Sequence, residues 1–113
     1  MANYDEEAIE QEIQDKGLNA PRLTPADIDE AIVDEDYYVF PGTSVTVCLL
    51  KLKNGYGTLG KSAAVSMENF DAEIGRKIAR DQAREEIWAL EGYRLREELY
   101  QKEAADGTTT KIR

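Results

Sequence analysis

The chain has 113 residues and a formal net charge of −9, with 42% hydrophobic residues. This length fits one domain, and the acidic balance argues against a protein that binds duplex nucleic acid. The sequence has no histidine and one cysteine, Cys48. A histidine-dependent nucleophile and an internal disulfide are therefore excluded, and a zinc site is not expected.

No run of about 18 apolar residues is present, so we expect no membrane span. The N-terminus, MANYDEEAIE, has neither the basic start nor the apolar block of a signal peptide. Together with the single cysteine, these features favour a protein of the reducing cytoplasm.

The N-terminal segment is predicted to form an acidic arm. Asn3 can cap a helix that ends at Gly17, with Ile9 and Ile13 on one face. Residues 1–40 carry a net charge of −10, whereas the remainder of the chain carries +1. Two interpretations remain open, a solvated and partly ordered arm or an acidic docking surface for a partner.

A second helix is predicted to start at Thr24, the cap, with Pro25 at the first helical position, and to end near Asp34. An extended segment is expected over residues 37–40, because Phe40 precedes a proline. Pro41-Gly42 then marks a turn.

The dipeptide Asn54-Gly55 lies between two β-prone runs, which is a strong hairpin signal. A two-residue turn would place Cys48 opposite Lys61 and Leu50 opposite Leu59. The strand before the turn is apolar on both faces. We therefore expect both faces to be covered, by helices or by another subunit.

A long C-terminal helix is predicted to follow Ser66 as its cap. Phe70, Ile74 and Ile78 recur every four residues, which predicts a buried stripe. A second line of small residues, at positions 75, 79 and 83, would let another backbone pack closely. Gly92 either breaks this helix or weakens it.

These elements predict an α+β fold, in which short N-terminal helices and an antiparallel β-hairpin or sheet precede a long C-terminal helix or helix pair. The predicted organisation is an acidic arm at 1–20, a single α+β domain at 21–103 and a disordered tail at 104–113.

Arginines supply the first candidate site. Arg76, Arg80 and Arg84 form a column on the long helix. The column is either a solvated helix face whose positive charge is partly offset by neighbouring acidic residues, or an anion-recognition surface. A third interpretation is a contact with the acidic N-terminal segment of a neighbouring subunit.

A second candidate site follows Gly92, where Tyr93, Arg94 and Arg96 could hold a nucleotide through ring stacking and phosphate contacts. An exposed helix face is the alternative. Asn69 and Phe70 lie at a predicted helix N-terminus, which attracts anions, although core packing is the alternative for Phe70. Cys48 is expected to be an inert residue of the core, and Trp88 is expected to belong to the core or an interface.

The motifs FPGT, TVCLLKLKNG, ENFDAEIGRKIAR and IWALEGYRLR resemble the phage "gene 49/gene 66" family of small proteins, over about residues 24–99. The sequence departs from the family pattern at Ala89, where a proline is common, and at Gln82, where an asparagine is common. The departure at Ala89 affects the prediction that the helix breaks near Gly92. The departure at Gln82 affects any polar contact made by the side chain at that position.

In layout the chain is also similar to phage Thoeris anti-defence sponge proteins. This resemblance implies a homo-oligomer, hexameric in the best-known form, in the host cytoplasm. It implies sequestration of a cyclic ADP-ribose-type or cyclic oligonucleotide signal between subunits, without cleavage and without a cofactor. A shared pocket would then be lined by Asn69, Phe70, Tyr93, Arg94 and Arg96.

Two other functions stay open. One is a phage inhibitor that binds a host protein through the acidic N-terminal region. The other is a carboxylate-based enzyme, which is the least favoured because no acidic pair stands out among the 23 Asp and Glu residues. We therefore expect no catalytic residues, no metal and no enzymatic activity.

Overall fold

A computed structural model describes residues 5–106 of the protein. A three-stranded antiparallel sheet, ordered β1-β2-β3, is covered on one face by a long C-terminal helix. The elements are α1 (Glu6–Asp15), α2 (Pro25–Ala31), β1 (Ile32–Val39), β2 (Thr46–Leu52), β3 (Gly57–Ser62), a 3₁₀ turn (Met67–Asn69) and α3 (Ala72–Ala105). The predicted α+β class and order of elements are confirmed.

The first helix begins later than predicted. Asp5 caps α1, and its carboxylate accepts hydrogen bonds from the backbone N–H groups of Glu7 and Ala8. The predicted cap, Asn3, lies outside the described residues. Gly17 follows the helix in the left-handed conformation at φ +66°, as expected for a residue that ends a helix.

The second helix starts as predicted but ends early. Thr24 and Asp27 form a reciprocal capping box at the start of α2. The chain is already extended at Ile32, so the predicted end near Asp34 is wrong. β1 pairs with β2 over its whole length, and this pairing extends the strand back to Ile32, with a bulge between Ile32 and Asp34.

The hairpin turn contains three residues instead of the predicted two. The Leu52 N–H donates to the Tyr56 carbonyl at 2.8 Å, and the Gly55 N–H donates to the Leu52 carbonyl at 2.9 Å. Gly55 has φ +91°, which a glycine adopts without strain. This is the turn in which a left-handed third residue closes the loop.

The longer turn shifts the strand register by one residue. Cys48 pairs with Gly60 and Leu49 pairs with Leu59, so the predicted pairing of Cys48 with Lys61 is wrong. Because side chains alternate between faces, the shift places Gly60 on the same inner face as Cys48.

Helix α3 packs on the inner face through its smallest residues. The buried residues of α3 are Gly75, Ala79, Ala83 and Ile87. The expectation that the small-residue line allows close packing is therefore confirmed. The predicted buried stripe is wrong at Ile74, which is 56% exposed. The wider core adds Ile28, Cys48, Leu50 and Leu52.

Asp71, and not Ser66, caps the long helix. The Ile74 N–H donates to the Asp71 carboxylate at 2.9 Å, whereas Ser66 caps the preceding 3₁₀ turn. α3 then runs for 34 residues, or about 51 Å, without a break at Gly92. It ends at Ala105, so the start of the predicted tail is helical, and its remainder from residue 107 lies outside the described residues.

Replacing Gly60 should strongly destabilise the fold. A Cβ at this position would lie 2.5 Å from the Ala83 nitrogen and would overlap the Ala79 carbonyl oxygen. Since both atoms belong to helix backbone, α3 would have to move off the sheet. We expect Gly60→Ala to lower the free energy of unfolding by about 3 kcal/mol or more, measured by urea denaturation.

Gly92→Ala is the matched control. The nearest side-chain atom, Leu23 Cδ1, is 4.0 Å from the added Cβ, and alanine favours a helix interior. This variant should gain up to about 1 kcal/mol. Equal effects of the two substitutions would contradict the close-packing argument.

Candidate functional site

The arginine column does not act as one surface. Arg84 is the most buried of the three, with 11% of its side chain exposed. Its guanidinium donates to Asp29 Oδ1 at 2.9 Å, to the Pro25 carbonyl at 3.2 Å and to the Glu6 carboxylate. Arg84 therefore joins α1 and α2 to α3 within one chain.

Arg80 and Arg76 have different surroundings. Arg80 Nε donates to Glu35 Oε2 at 2.8 Å, and this hydrogen bond lowers the pKa of the Glu35 carboxyl. Arg76 lies on the exposed part of the helix. The interpretation of the column as a solvated face fits Arg76 only.

Two further contacts hold the acidic helix α1 in place. Trp88 Nε1 donates to Glu6 Oε2 at 3.0 Å. Arg22 forms a bidentate pair with Glu10, at 2.7 and 2.8 Å. The hydrogen bond from Arg22 is the main reason that the pKa of Glu10 falls to about 2. The inward face of the predicted acidic arm is thus neutralised by its own chain.

The predicted inert cysteine is confirmed as a core residue. Cys48 is fully buried, and burial raises the pKa of its thiol. Burial likewise raises the pKa of the neighbouring Tyr37 to about 12. Trp88 is half-buried against α1 and the core, as expected.

An open cleft of about 510 Å³ lies between α2, the turn after β2 and the middle of α3. Three cationic side chains converge on it from separate elements, Arg22, Lys53 and Arg94. Leu23, Leu52 and Leu95 supply an apolar floor. Asp27, Glu30 and Glu91 line the same cleft, so three carboxylates accompany the three cations around the leucines.

Each cation of the cleft is paired with a carboxylate. Lys53 Nζ lies 3.2 Å from Glu30 Oε1. Arg94 Nε donates to Glu91 Oε2 at 2.7 Å, and its guanidinium also contacts Glu98. These hydrogen bonds raise the pKa of Arg94. An anionic ligand would therefore exchange places with protein carboxylates.

Of the five predicted site residues, Arg94 alone lines the cleft. Tyr93, on the neighbouring helix position, is 74% exposed. Arg96 points to Glu103 at 3.4 Å.

Asn69 and Phe70 lie before the start of α3. About 33 Å of helix separates Ala72 from Arg94. One chain therefore does not bring the two predicted groups together.

Arg22 and Lys53 were missed by the sequence interpretation. Arg22 could have been noticed in the sequence, since it is one of two basic residues among the first 40. Nothing in the sequence distinguishes Lys53, because only the folded hairpin places its turn beside α3.

Neither a metal site nor a membrane-crossing helix is found in the part of the chain that the structure describes. Among residues 5–106, no group of three His, Cys, Asp or Glu side chains could hold a metal ion. No helix in that range is both long and apolar enough to cross a membrane.

Acid should loosen the attachment of α1. The pKa of Glu10 is lowered in the folded protein, from 4.5 to about 2, so its contribution to stability is present above pH 4.5 and is lost as the pH falls towards 2. We expect a red shift in the fluorescence of Trp88, the single tryptophan, across this window. In Glu10→Gln, the part of the shift due to Glu10 should disappear. Identical pH profiles for the two proteins would contradict this prediction.

Comparison with known proteins places the chain in a phage family. The model of the phage protein (N4 Gp49/phage Sf6 gene 66) family matches residues 23–99. No curated protein and no solved structure matches the chain. The family match runs from the residue before the cap of α2 to the last part of α3, and so includes the sheet and the cleft residues other than Arg22. The protein therefore belongs to the phage protein (N4 Gp49/phage Sf6 gene 66) family.

Proposed function

We propose that this phage protein acts by binding, without catalysis. Its ligand is a cyclic nucleotide immune signal, of the cyclic ADP-ribose or cyclic oligonucleotide kind, which it sequesters in the host cytoplasm. The observation that carries the proposal is the convergence of Arg22, Lys53 and Arg94 on one open cleft.

The cleft suits the chemistry of such a ligand. Guanidinium groups bind phosphate oxygens through two parallel hydrogen bonds. Arg94 is the more exposed guanidinium of the cleft, whereas Arg22 is held in a bidentate pair by Glu10. The leucine floor offers an apolar surface for a base. A volume of about 510 Å³ falls within the range of small-molecule pockets.

Displacing the protein carboxylates from Arg94 costs little. The Arg94 side chain is 57% exposed in its pairs with Glu91 and Glu98. Ion pairs this exposed contribute at most about 1 kcal/mol. A phosphate that enters the cleft can therefore replace a carboxylate on Arg94 while the guanidinium stays in place.

The alternative geometry is the pocket shared between subunits that the resemblance implies. Asn69 and Phe70 of one chain would then meet Arg94 and Arg96 of another, because helix length keeps them apart within a single chain. Arg94 belongs to both geometries, whereas Arg96 belongs to the shared pocket alone.

Arg94→Gln should weaken binding of cyclic ADP-ribose or cyclic di-AMP about tenfold or more, since it removes a charge-assisted contact to phosphate. Glu91→Gln should strengthen binding, because it removes the charge of one of the two carboxylates that hold the Arg94 guanidinium. Isothermal titration calorimetry measures both effects. Heating the complex should then release intact ligand.

Arg96→Gln is the matched control on the same helix. Unchanged affinity supports the single-chain cleft, and a loss like that of Arg94→Gln supports the shared pocket. No binding of either nucleotide by the native protein would contradict the proposal. Recovery of a cleaved ligand would revive the enzyme hypothesis.

A second candidate function is inhibition of a host protein through the acidic N-terminal region. The observation that favours it is the outward face of α1, where Glu7, Glu12 and Asp15 are exposed. Glu6 and Glu10, on the inward face, are occupied by Arg84 and Arg22.

Exposed acids test this candidate better than truncation does. Deleting residues 1–20 would also remove Glu6 and uncover Trp88. A loss of activity could then come from the lost contact with the host protein or from a less stable fold. If the candidate is correct, Glu7→Lys with Asp15→Lys should abolish capture of the host protein in a pull-down, while circular dichroism stays unchanged. Unaltered capture by this double variant would count against the acidic helix as the contact.

A further inference from the structure

Arg22 belongs to two parts of the protein surface at once. Its side chain lines the cleft between α2, the turn after β2 and α3, and it also contacts Glu10 on the acidic helix α1. Nη1 of Arg22 donates to Glu10 Oε1 at 2.7 Å, and Nη2 donates to Glu10 Oε2 at 2.8 Å. The cleft therefore shares one of its three cations with a helix that does not line it.

The pair with Glu10 uses the part of the Arg22 guanidinium that would hold a ligand. A phosphate that binds a guanidinium end-on accepts hydrogen bonds from both terminal nitrogens, and Glu10 accepts from the same two. The Arg22 side chain is 28% exposed, so a ligand in the cleft can reach it. A phosphate in the cleft and the carboxylate of Glu10 therefore compete for one binding position.

Helix α1 is packed loosely against the rest of the protein. None of its residues is buried, and Ile9 on its inward face is 45% exposed. An open gap of about 430 Å³ remains beneath the helix, and its lining includes Ile9, Ile13, Leu23 and Trp88. Apolar side chains on either side of such a gap lose the contacts that would stabilise a closely packed helix. Apolar packing therefore gives α1 little resistance to displacement.

The position of Glu10 determines which part of α1 can move. Glu6, one turn earlier, is held by Arg84 and by the indole of Trp88. The polar side chains farther along the helix bond within α1 or to Lys16, and they are Gln11, Glu12 and Gln14. Loss of the Glu10 contact would therefore release the second half of α1, while Glu6 still holds its start.

We propose that α1 is an autoinhibitory segment of the cleft. In the free protein Glu10 occupies Arg22, and a phosphate ligand that enters the cleft takes Arg22 from Glu10 and releases the second half of α1. This inference rests on the proposed function, because it concerns ligands of the same cleft. Arg94 binds the ligand first, since its side chain is 57% exposed and that of Arg22 is less so. The Glu10 carboxylate thus lowers the affinity of the cleft, and ligand binding changes the position of α1.

Glu10→Gln should strengthen binding of cyclic ADP-ribose or cyclic di-AMP about fivefold or more, because a neutral amide holds a guanidinium less tightly than a carboxylate does. Isothermal titration calorimetry measures the change. Glu12→Gln is the matched control on the same helix. It removes the same charge, but Glu12 pairs with Lys16 and does not line the cleft, so the affinity should stay at the native value.

A double-mutant cycle tests whether Arg22 is the group for which carboxylate and ligand compete. In a protein that already carries Arg22→Gln, the further change Glu10→Gln should alter the affinity less than about twofold. A gain that persists without Arg22 would come from the overall charge of the protein, and would overturn the proposed competition.

Fluorescence of Trp88 reports the movement of α1. Trp88 is the single tryptophan, and it lines the gap beneath α1 but not the cleft. With excitation at a wavelength that nucleotides do not absorb, saturating ligand should shift the emission of the native protein to longer wavelength. In Glu10→Gln the emission should already be red-shifted before ligand is added, and ligand should add little.

Failure of this inference is distinguishable from failure of the proposed function. Native protein that binds the nucleotide with the same affinity as Glu10→Gln, and with unshifted Trp88 emission, would overturn the autoinhibitory role and leave the nucleotide sponge standing. An equal gain of affinity in Glu12→Gln would also overturn that role. A gain in Glu10→Gln with unshifted Trp88 emission in the native complex would overturn the release of α1. Absence of binding by both the native protein and Glu10→Gln would overturn both proposals.

Discussion

The fold depends on the close approach of helix α3 to strand β3 at Gly60. Backbone atoms of Ala79 and Ala83 occupy the space where a side chain at Gly60 would lie. Small residues on both elements let the helix axis come close enough to bury the inner face of a sheet of only three strands. A domain this small has few other ways to build a dry core.

The acidic N-terminal helix is joined to this core by charge more than by apolar burial. No residue of α1 is buried, yet Arg84 and Trp88 hold Glu6, and Arg22 holds Glu10. Arg84 and Trp88 belong to the near-neutral part of the chain. A row of arginines seems out of place in a chain with a net charge of −9. In the folded protein, Arg84 of that row forms an ion pair with Glu6 of the acidic segment.

One helix covering one face of the sheet divides the remaining surface into two regions. The cleft beside α2 and α3 gathers three cations from distant parts of the sequence. The outer face carries Tyr38, Val47, Leu49 and Leu59 together with the charged side chains of Asp36, Lys51 and Lys61. The proposed sponge uses the first of these regions.

Local sequence determined the class of fold, the capping box at Thr24, the hairpin around Asn54-Gly55, the close-packing role of the small residues in α3 and the family. Each of these depends on residues near one another in sequence. Tertiary structure decided the rest. Hairpin register depends on how many residues close the turn, and it selects the face on which Gly60 lies. The cleft depends on contacts between residues more than 20 positions apart, which no local pattern specifies. Arg94 was identified because it stands beside Tyr93 and Arg96 in the sequence, whereas the nearness of Arg22 and Lys53 to it exists only once α2, the hairpin and α3 have packed.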